Sequence, residues 1–196
     1  MTSNDMKVGL FFGSFNPVHI GHLAIANYFA AFSDLGQIWL VVSPQNPFKE
    51  RKNLLPEYDR YRMVELALQD DIQIRPSNIE FSLPKPSYTI DTLTYMRERH
   101  PGKQFCLIVG SDNLVHFHKW KNHKELLDLH ELYVYPRPDV DPLSYRDRYP
   151  MRIVNAPLIE ISSSMIRESI RQGKDMRYFL PAQVYKYIQE MHFYEK

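Results

Sequence analysis

The chain has few of the features that mark secreted, membrane-spanning or nucleic-acid-binding proteins. It contains one cysteine, Cys106, among 196 residues, which excludes an internal disulfide framework and indicates a reducing compartment. No apolar run approaches the roughly 18 residues that a membrane-spanning helix requires, and the first residues lack the order of a signal peptide. Lys and Arg number 24 against 23 Asp and Glu, so no basic excess points to nucleic acid. We therefore expect a cytoplasmic protein without a nucleic-acid or membrane partner.

Long hydrophobic runs are also absent, and the short ones alternate with helical patterns, which is typical of βαβ units and a parallel sheet. Strands are predicted at residues 7–12, 37–43, 72–75, 104–109, 131–135 and 152–154. Helices are predicted at residues 19–32, 58–69, 89–99, 122–129, 163–172 and 181–191. The sequence therefore predicts an α/β protein with a Rossmann-like, doubly wound parallel sheet in a single domain.

Glycine is scarce, with seven residues, and two of them frame a histidine motif after the first predicted strand. Residues 13–22 read Gly-Ser-Phe-Asn-Pro-Val-His-Ile-Gly-His. An apolar strand that enters a Gly/Pro turn and then a helix places backbone N–H groups and the positive helix end together, which favours an anion. His19 and His22 fall on one face of that helix, close enough to hold one phosphate chain. Half of a metal site and ordinary surface histidines are the alternatives, but zinc needs further ligands that no cysteine pair or HExxH motif supplies.

A second polar cluster, at residues 161–167, reads Ile-Ser-Ser-Ser-Met-Ile-Arg. Its serines can cap a helix, and Arg167 lies one turn further on, with a fork of donors that suits phosphate. By itself this cluster does not indicate a phosphate site, since serines cap many helices. Together with the histidine motif it predicts a second phosphate contact.

Two further segments suggest where the rest of a nucleotide binds. Gly110 and Asp112 follow the fourth predicted strand, at the edge where parallel sheets collect ligands. Asp112 either accepts a hydrogen bond from a ribose hydroxyl or caps the next helix. Residues 86–89, Pro-Ser-Tyr-Thr, begin a helix, and Trp120 could stack on a flat ring. The alternative for Trp120 is a place in the core.

Taken together, these segments resemble the nicotinate-mononucleotide adenylyltransferases of bacterial NAD biosynthesis, within the nucleotidyltransferase superfamily. The superfamily patterns are Gly-x-Phe-[Asp/Asn]-Pro-x-His-x-x-His and Ile-Ser-x-[Ser/Thr]-x-x-Arg, here at 13–22 and 161–167. The family-specific patterns are Pro-Ser-Tyr-Thr-x-x-Thr-Leu at 86–93 and Gly-x-Asp followed by Trp120. The resemblance spans almost the whole chain, including an Arg-Pro pair at 137–138, and implies one nucleotidyltransferase domain over residues 1–196.

The resemblance implies that the 5′-phosphate of nicotinate mononucleotide attacks the α-phosphorus of ATP, which yields deamido-NAD and pyrophosphate. It implies catalytic roles for His19, His22 and Arg167. The implied ATP contacts are Gly13, Ser14, Phe15, His19, His22, Lys49, Gly110, Asp112, Ile161, Ser162, Ser163 and Arg167. The implied nicotinate-mononucleotide contacts are Ser14, Phe15, Asn46, Tyr88, Thr89 and Trp120. Mg²⁺ is expected to arrive with ATP, without a metal site built by the protein.

Three positions depart from the family pattern. Asn16 replaces the more usual aspartate, and Phe48 stands where the family has a histidine. Lys121 follows Trp120 where many relatives have tyrosine; it either favours a substrate carboxylate over an amide or is simply exposed. Another transferase of the superfamily, such as the phosphopantetheine enzyme, and a nucleotide sensor without turnover are the competing hypotheses. The oligomeric state is left open.

Overall fold

A computed structural model describes residues 6–44, 54–69 and 71–195, and within them six parallel strands form one sheet. The strands are β1 (Met6–Gly13), β2 (Gln37–Val42), β3 (Ile74–Ser77), β4 (Lys103–Gly110), β5 (Leu132–Tyr135) and β6 (Arg152–Ile153). Their order across the sheet is β3-β2-β1-β4-β5-β6, and every neighbouring pair is parallel. The order reverses direction between β1 and β4, which confirms the predicted doubly wound α/β fold.

The helices cover both faces of this sheet, and each face carries its own core. The α-helices are α1 (Ile20–Phe32), α2 (Glu57–Leu68), α3 (Thr89–Arg99), α4 (His123–Leu129), α5 (Ser163–Arg171) and α6 (Ala182–Glu190). Apolar residues of α1, α2, α5 and α6 pack together on one face, and those of α3 and α4 pack on the other. Because β1, β2, β4 and β5 are buried on both faces, they are nearly continuously apolar rather than alternating.

The predicted boundaries agree with the structure to within one or two residues, and the largest shift has a local cause. The third strand was expected at 72–75 but begins at Ile74. The Asp71 carboxylate accepts hydrogen bonds from the N–H groups of Gln73 and Ile74, at 2.8 and 2.9 Å, so these residues form a turn before the strand. Four short 3₁₀ helices were not predicted: Ile79–Ser82, Ser111–Lys119, Pro142–Tyr145 and Arg177–Phe179.

Cys106 lies in β4 and is fully buried, as its apolar neighbours predicted. Burial raises the pKa of its thiol to about 12, so it is protonated at neutral pH and acts as a small apolar side chain. None of the helices in the described ranges is both long enough and apolar enough to cross a membrane.

Candidate active site

A cleft opens at the carboxyl ends of β1 and β4, where the strand order reverses and parallel sheets bind ligands. The turn after β1, the start of α1, the segment after β4 and the start of α5 form its walls. We call it the histidine cleft. Its polar lining residues are Ser14, Asn16, His19, His22, Ser43, Asp112, Asn113, Arg137, Ser162, Ser163, Ser164 and Arg167.

The two histidines lie together at the start of α1. Their rings stack with centroids 3.7 Å apart, and the His19 backbone N–H donates to Nδ1 of His22 at 3.3 Å. Because Nδ1 of His22 accepts a hydrogen bond, its ring proton belongs on Nε2. Burial, reinforced by the charge of Arg137, lowers the pKa of His19 to about 4. His19 is therefore neutral at pH 7.

Gly21 allows this tight arrangement. A Cβ at position 21 would lie 3.1 Å from the His19 ring and 3.2 Å from the Ile159 side chain. Glycine at this position thus lets the backbone of α1 approach both His19 and the chain that leads to α5.

The start of α5 is tied to the turn after β1. The Ser163 hydroxyl donates to the Pro17 carbonyl at 2.9 Å, and Arg167 donates through Nη1 to the Asn16 carbonyl at 2.7 Å. Ser162 caps the helix by accepting from the Met165 N–H at 3.2 Å. These bonds turn two carbonyl oxygens toward α5, and Arg167 keeps further donors for an anion because its guanidinium carries five.

A second arginine, Arg137, enters the cleft from the end of β5. Its backbone N–H donates to the buried Ser111 hydroxyl at 2.9 Å, and that hydroxyl donates to the Val140 carbonyl at 2.7 Å. Among the described residues, the cleft lining contains these two arginines, Arg137 and Arg167, and one carboxylate, Asp112. Two cations and two histidines against one anion suit a polyphosphate.

An aromatic pocket adjoins the histidine cleft. Both are bounded by Phe11, Phe12, Ser43, Asn113 and Tyr135, so a ligand can extend from one into the other. The pocket's other lining residues include Glu80, Ser87, Tyr88, Thr89, Gly110, Lys119, Trp120 and Lys121. Apolar walls with a few polar groups are typical of a site for a flat ring.

Comparison with known proteins identifies the family. The cytidylyltransferase-like family model matches residues 10–169. A Flavobacterium johnsoniae protein named "Probable nicotinate-nucleotide adenylyltransferase" is 47% identical over 193 residues, which cover 97% of this chain and 100% of the relative. A Cytophaga hutchinsonii protein of the same name is 51% identical over 189 residues, covering 96% of this chain and 98% of the relative. The chain belongs to the nicotinate-nucleotide adenylyltransferase family.

Solved structures agree with this family at the level of the fold. Nicotinic acid mononucleotide adenylyltransferase of Plasmodium falciparum, complexed with NaAD, superposes with a TM-score of 0.83 at 20% identity, covering 97% of this chain and 98% of that one. The sequence relatives confirm the resemblance to nicotinate-mononucleotide adenylyltransferases drawn from the motifs, and the solved structure agrees with the fold.

Most residues expected at the sites of a nicotinate-nucleotide adenylyltransferase line one of the two depressions. The histidine cleft contains Gly13, Ser14, Phe15, His19, His22, Asp112, Ile161, Ser162, Ser163 and Arg167. The aromatic pocket contains Tyr88, Thr89, Trp120 and also Gly110, which was expected with ATP. Ser14 and Phe15 line the cleft and not the pocket. Asn46, Phe48 and Lys49 lie outside the described residues. The ligand roles of all these residues stay predictions.

Sequence reasoning missed Arg60, which is fully buried in α2. Its guanidinium donates to four backbone carbonyls: Ser14 at 2.6 Å, Ser43 at 2.8 Å, Leu55 at 2.9 Å and Pro44 at 3.0 Å. A trans peptide points its C=O and N–H in opposite directions. Because Arg60 binds the Ser14 carbonyl, the N–H of the same peptide, which belongs to Phe15, points away from the guanidinium.

The C-terminal residues also reach this turn. The Tyr194 hydroxyl donates to Oδ1 of Asn16 at 2.8 Å, and the Leu55 N–H approaches the same oxygen at 3.4 Å. Burial raises the pKa of Tyr194, so its hydroxyl stays protonated and acts as a donor. No sequence signal joined these positions, since they lie 178 residues apart.

Proposed function

We propose that the protein transfers the adenylyl group of ATP to nicotinate mononucleotide, forming nicotinate adenine dinucleotide and pyrophosphate. The observation that carries the proposal is the pair of adjoining depressions at the strand-order reversal. One is lined by two histidines and two arginines, and the other by aromatic side chains. A triphosphate and a pyridine ring are the two groups that this reaction must hold side by side.

The reaction does not require acid or base catalysis by a protein side chain. A 5′-phosphate oxygen of nicotinate mononucleotide attacks the α-phosphorus of ATP, and the bond from that phosphorus to the oxygen bridging to the β-phosphorus breaks. The bridging oxygen leaves on pyrophosphate with the electron pair. Because the attacking phosphate is already ionised at neutral pH, the protein need not supply a nucleophile or a general base. Catalysis rests on alignment and on neutralising the phosphate charge.

The local contacts support a role for each polar group in the cleft. His22, whose proton belongs on Nε2, is suited to donate to a phosphate oxygen as negative charge moves toward the leaving group. His19 is neutral and buried against His22, which suits a positioning role or a single hydrogen bond. Arg167, on the adjacent α5, is suited to the β- and γ-phosphates.

Mg²⁺ would enter the cleft as part of the MgATP substrate. Among the residues that the structure describes, no three His, Cys, Asp or Glu side chains lie close enough to hold a metal ion. Asp112 and Asn113 supply oxygen atoms in the cleft lining, which is consistent with a Mg²⁺ held mainly by phosphate oxygens and water.

Pyrophosphate release tests the proposal. The purified protein is given MgATP with nicotinate mononucleotide, nicotinamide mononucleotide or phosphopantetheine, and the products are separated. We expect turnover with a pyridine mononucleotide and the appearance of the corresponding dinucleotide. Turnover with phosphopantetheine alone would keep the ATP site and overturn the assignment of the aromatic pocket. If the protein binds ATP but releases pyrophosphate with none of the three acceptors, it would be a nucleotide-binding protein without turnover.

A further inference from the structure

The aromatic pocket contains a lysine whose position is set by its neighbours. The Lys121 ammonium donates to both carboxylate oxygens of Asp91, at 2.8 and 3.0 Å. It also lies 4.8 Å from the centre of the Tyr88 ring. Lys121 lines the pocket beside Trp120, whereas Asp91 does not. Asp91 therefore binds the ammonium without belonging to the lining, and Lys121 is a cationic residue of the pocket wall.

The ion pair with Asp91 leaves this cation available to a ligand. The Lys121 and Asp91 side chains are 43% and 50% exposed, and pairs this exposed are weak because water screens them. A lysine carries three N–H donors and can rotate them. A ligand carboxylate that reached the pocket wall could therefore share the ammonium with Asp91 or take it over.

The rest of the pocket does not cancel this positive charge. Among the described residues that line the pocket, Lys119 is the other lysine and Glu80 is the one residue with a carboxyl group. Glu80 is buried and accepts from the Thr92 hydroxyl at 2.8 Å. Burial raises the pKa of Glu80 although neighbouring hydroxyl donors oppose the shift. An anionic ligand at the pocket wall would therefore meet two lysines and one buried carboxyl group that is already engaged by Thr92.

We propose that Lys121 is a specificity-determining residue: its ammonium selects the acid form of the pyridine mononucleotide over the amide, and Asp91 moderates that selection. The inference rests on the proposed function and adds the residue that sets its substrate preference. Nicotinate presents a carboxylate that accepts a charge-assisted hydrogen bond from Lys121. Nicotinamide presents a neutral amide, which gains less from the same cation.

The test compares kcat/KM for nicotinate and nicotinamide mononucleotides, at saturating MgATP, in the unmodified protein and three variants. Lys121→Met removes the cation but keeps most of the side-chain volume. We expect it to lower the nicotinate-to-nicotinamide ratio about tenfold, chiefly by raising KM for nicotinate mononucleotide. Asp91→Asn removes the competing carboxylate and should raise the ratio about threefold. Lys124→Met removes the same charge from an exposed position outside the pocket lining and should leave the ratio unchanged.

Opposite shifts in the Lys121 and Asp91 variants support the proposal, because general damage to the pocket would lower activity with both substrates. An unchanged ratio in Lys121→Met, or an equal fall in Lys124→Met, overturns it while the proposed function stands. An unmodified protein inactive with both pyridine mononucleotides overturns both. Quenching of tryptophan fluorescence by each mononucleotide, without ATP, gives an independent binding ratio that should move in the same directions.

Discussion

The buried guanidinium of Arg60 offers the sharpest test of how the cleft is supported. Arg60→Met fills a similar volume but leaves the carbonyls of Ser14, Ser43, Pro44 and Leu55 without their donor. Each charged hydrogen bond contributes about 1.5–3 kcal/mol. Removing the desolvation cost of a buried cation offsets part of that sum, so a net loss of about 3–5 kcal/mol is expected.

For a chain of this length, such a loss lowers Tm by roughly 6–20 °C, at about 2–4 °C per kcal/mol. Urea unfolding followed by circular dichroism measures the loss of stability directly. Arg60→Lys keeps the charge and some donors, and should recover part of it. Arg62→Met is the matched control, because Arg62 is 56% exposed and pairs with Glu65 at 3.3 Å. It should change the unfolding free energy by about 0.5 kcal/mol or less. A change below about 1 kcal/mol in Arg60→Met would refute the reasoning.

Three further predictions concern single side chains: two that line the cleft and one, Tyr194, that contacts a lining residue. His22→Ala should lower kcat on the order of 100-fold while Tm changes little; activity and thermal-shift assays on one preparation check this, and parallel losses would contradict it. His19 has a pKa lowered to about 4 from 6.5, so its contribution to stability should be complete above pH 6.5 and decline as the pH falls toward 4. Urea midpoints across that range should show a slope that becomes shallower in His19→Asn; an identical slope would exclude His19 as the cause. Tyr194→Phe removes the hydrogen bond to Asn16 and should cost about 1 kcal/mol of unfolding free energy; no loss by urea unfolding would show that the bond does not contribute.

Local patterns were sufficient to predict the sheet and much of the cleft. The apolar runs of β1 and β4 are buried on both faces, so their sequences differ plainly from the amphipathic helices between them. His19 precedes α1 and His22 lies in its first turn, three residues on, so their proximity was predictable from the sequence; the stacking accompanies the hydrogen bond from the His19 N–H to Nδ1 of His22. The serines of 162–164 were expected to supply a helix cap, and the Ser162 hydroxyl does so by accepting from the Met165 N–H.

Contacts that depend on distant parts of the chain were not predictable in this way. An arginine among charged residues in an amphipathic helix is normally exposed, and Arg60 is buried only because three segments bring their carbonyls to it. Tyr194 belongs to the turns after α6 and shows no pattern that links it to Asn16. Arg137 was noted as part of a family motif, but its place in the cleft depends on a hydroxyl 26 residues away in sequence.

The inert thiol of Cys106 has a practical consequence for site-specific labelling of this protein. Because it is the chain's one cysteine and is both buried and protonated, maleimide-type reagents should leave it unmodified at neutral pH. A cysteine introduced at an exposed position of α6, for example in place of Lys186, would then be the one reactive thiol. Fluorophores or spin labels could be attached there without first removing a native cysteine from the sheet, so the labelled protein would keep its original core.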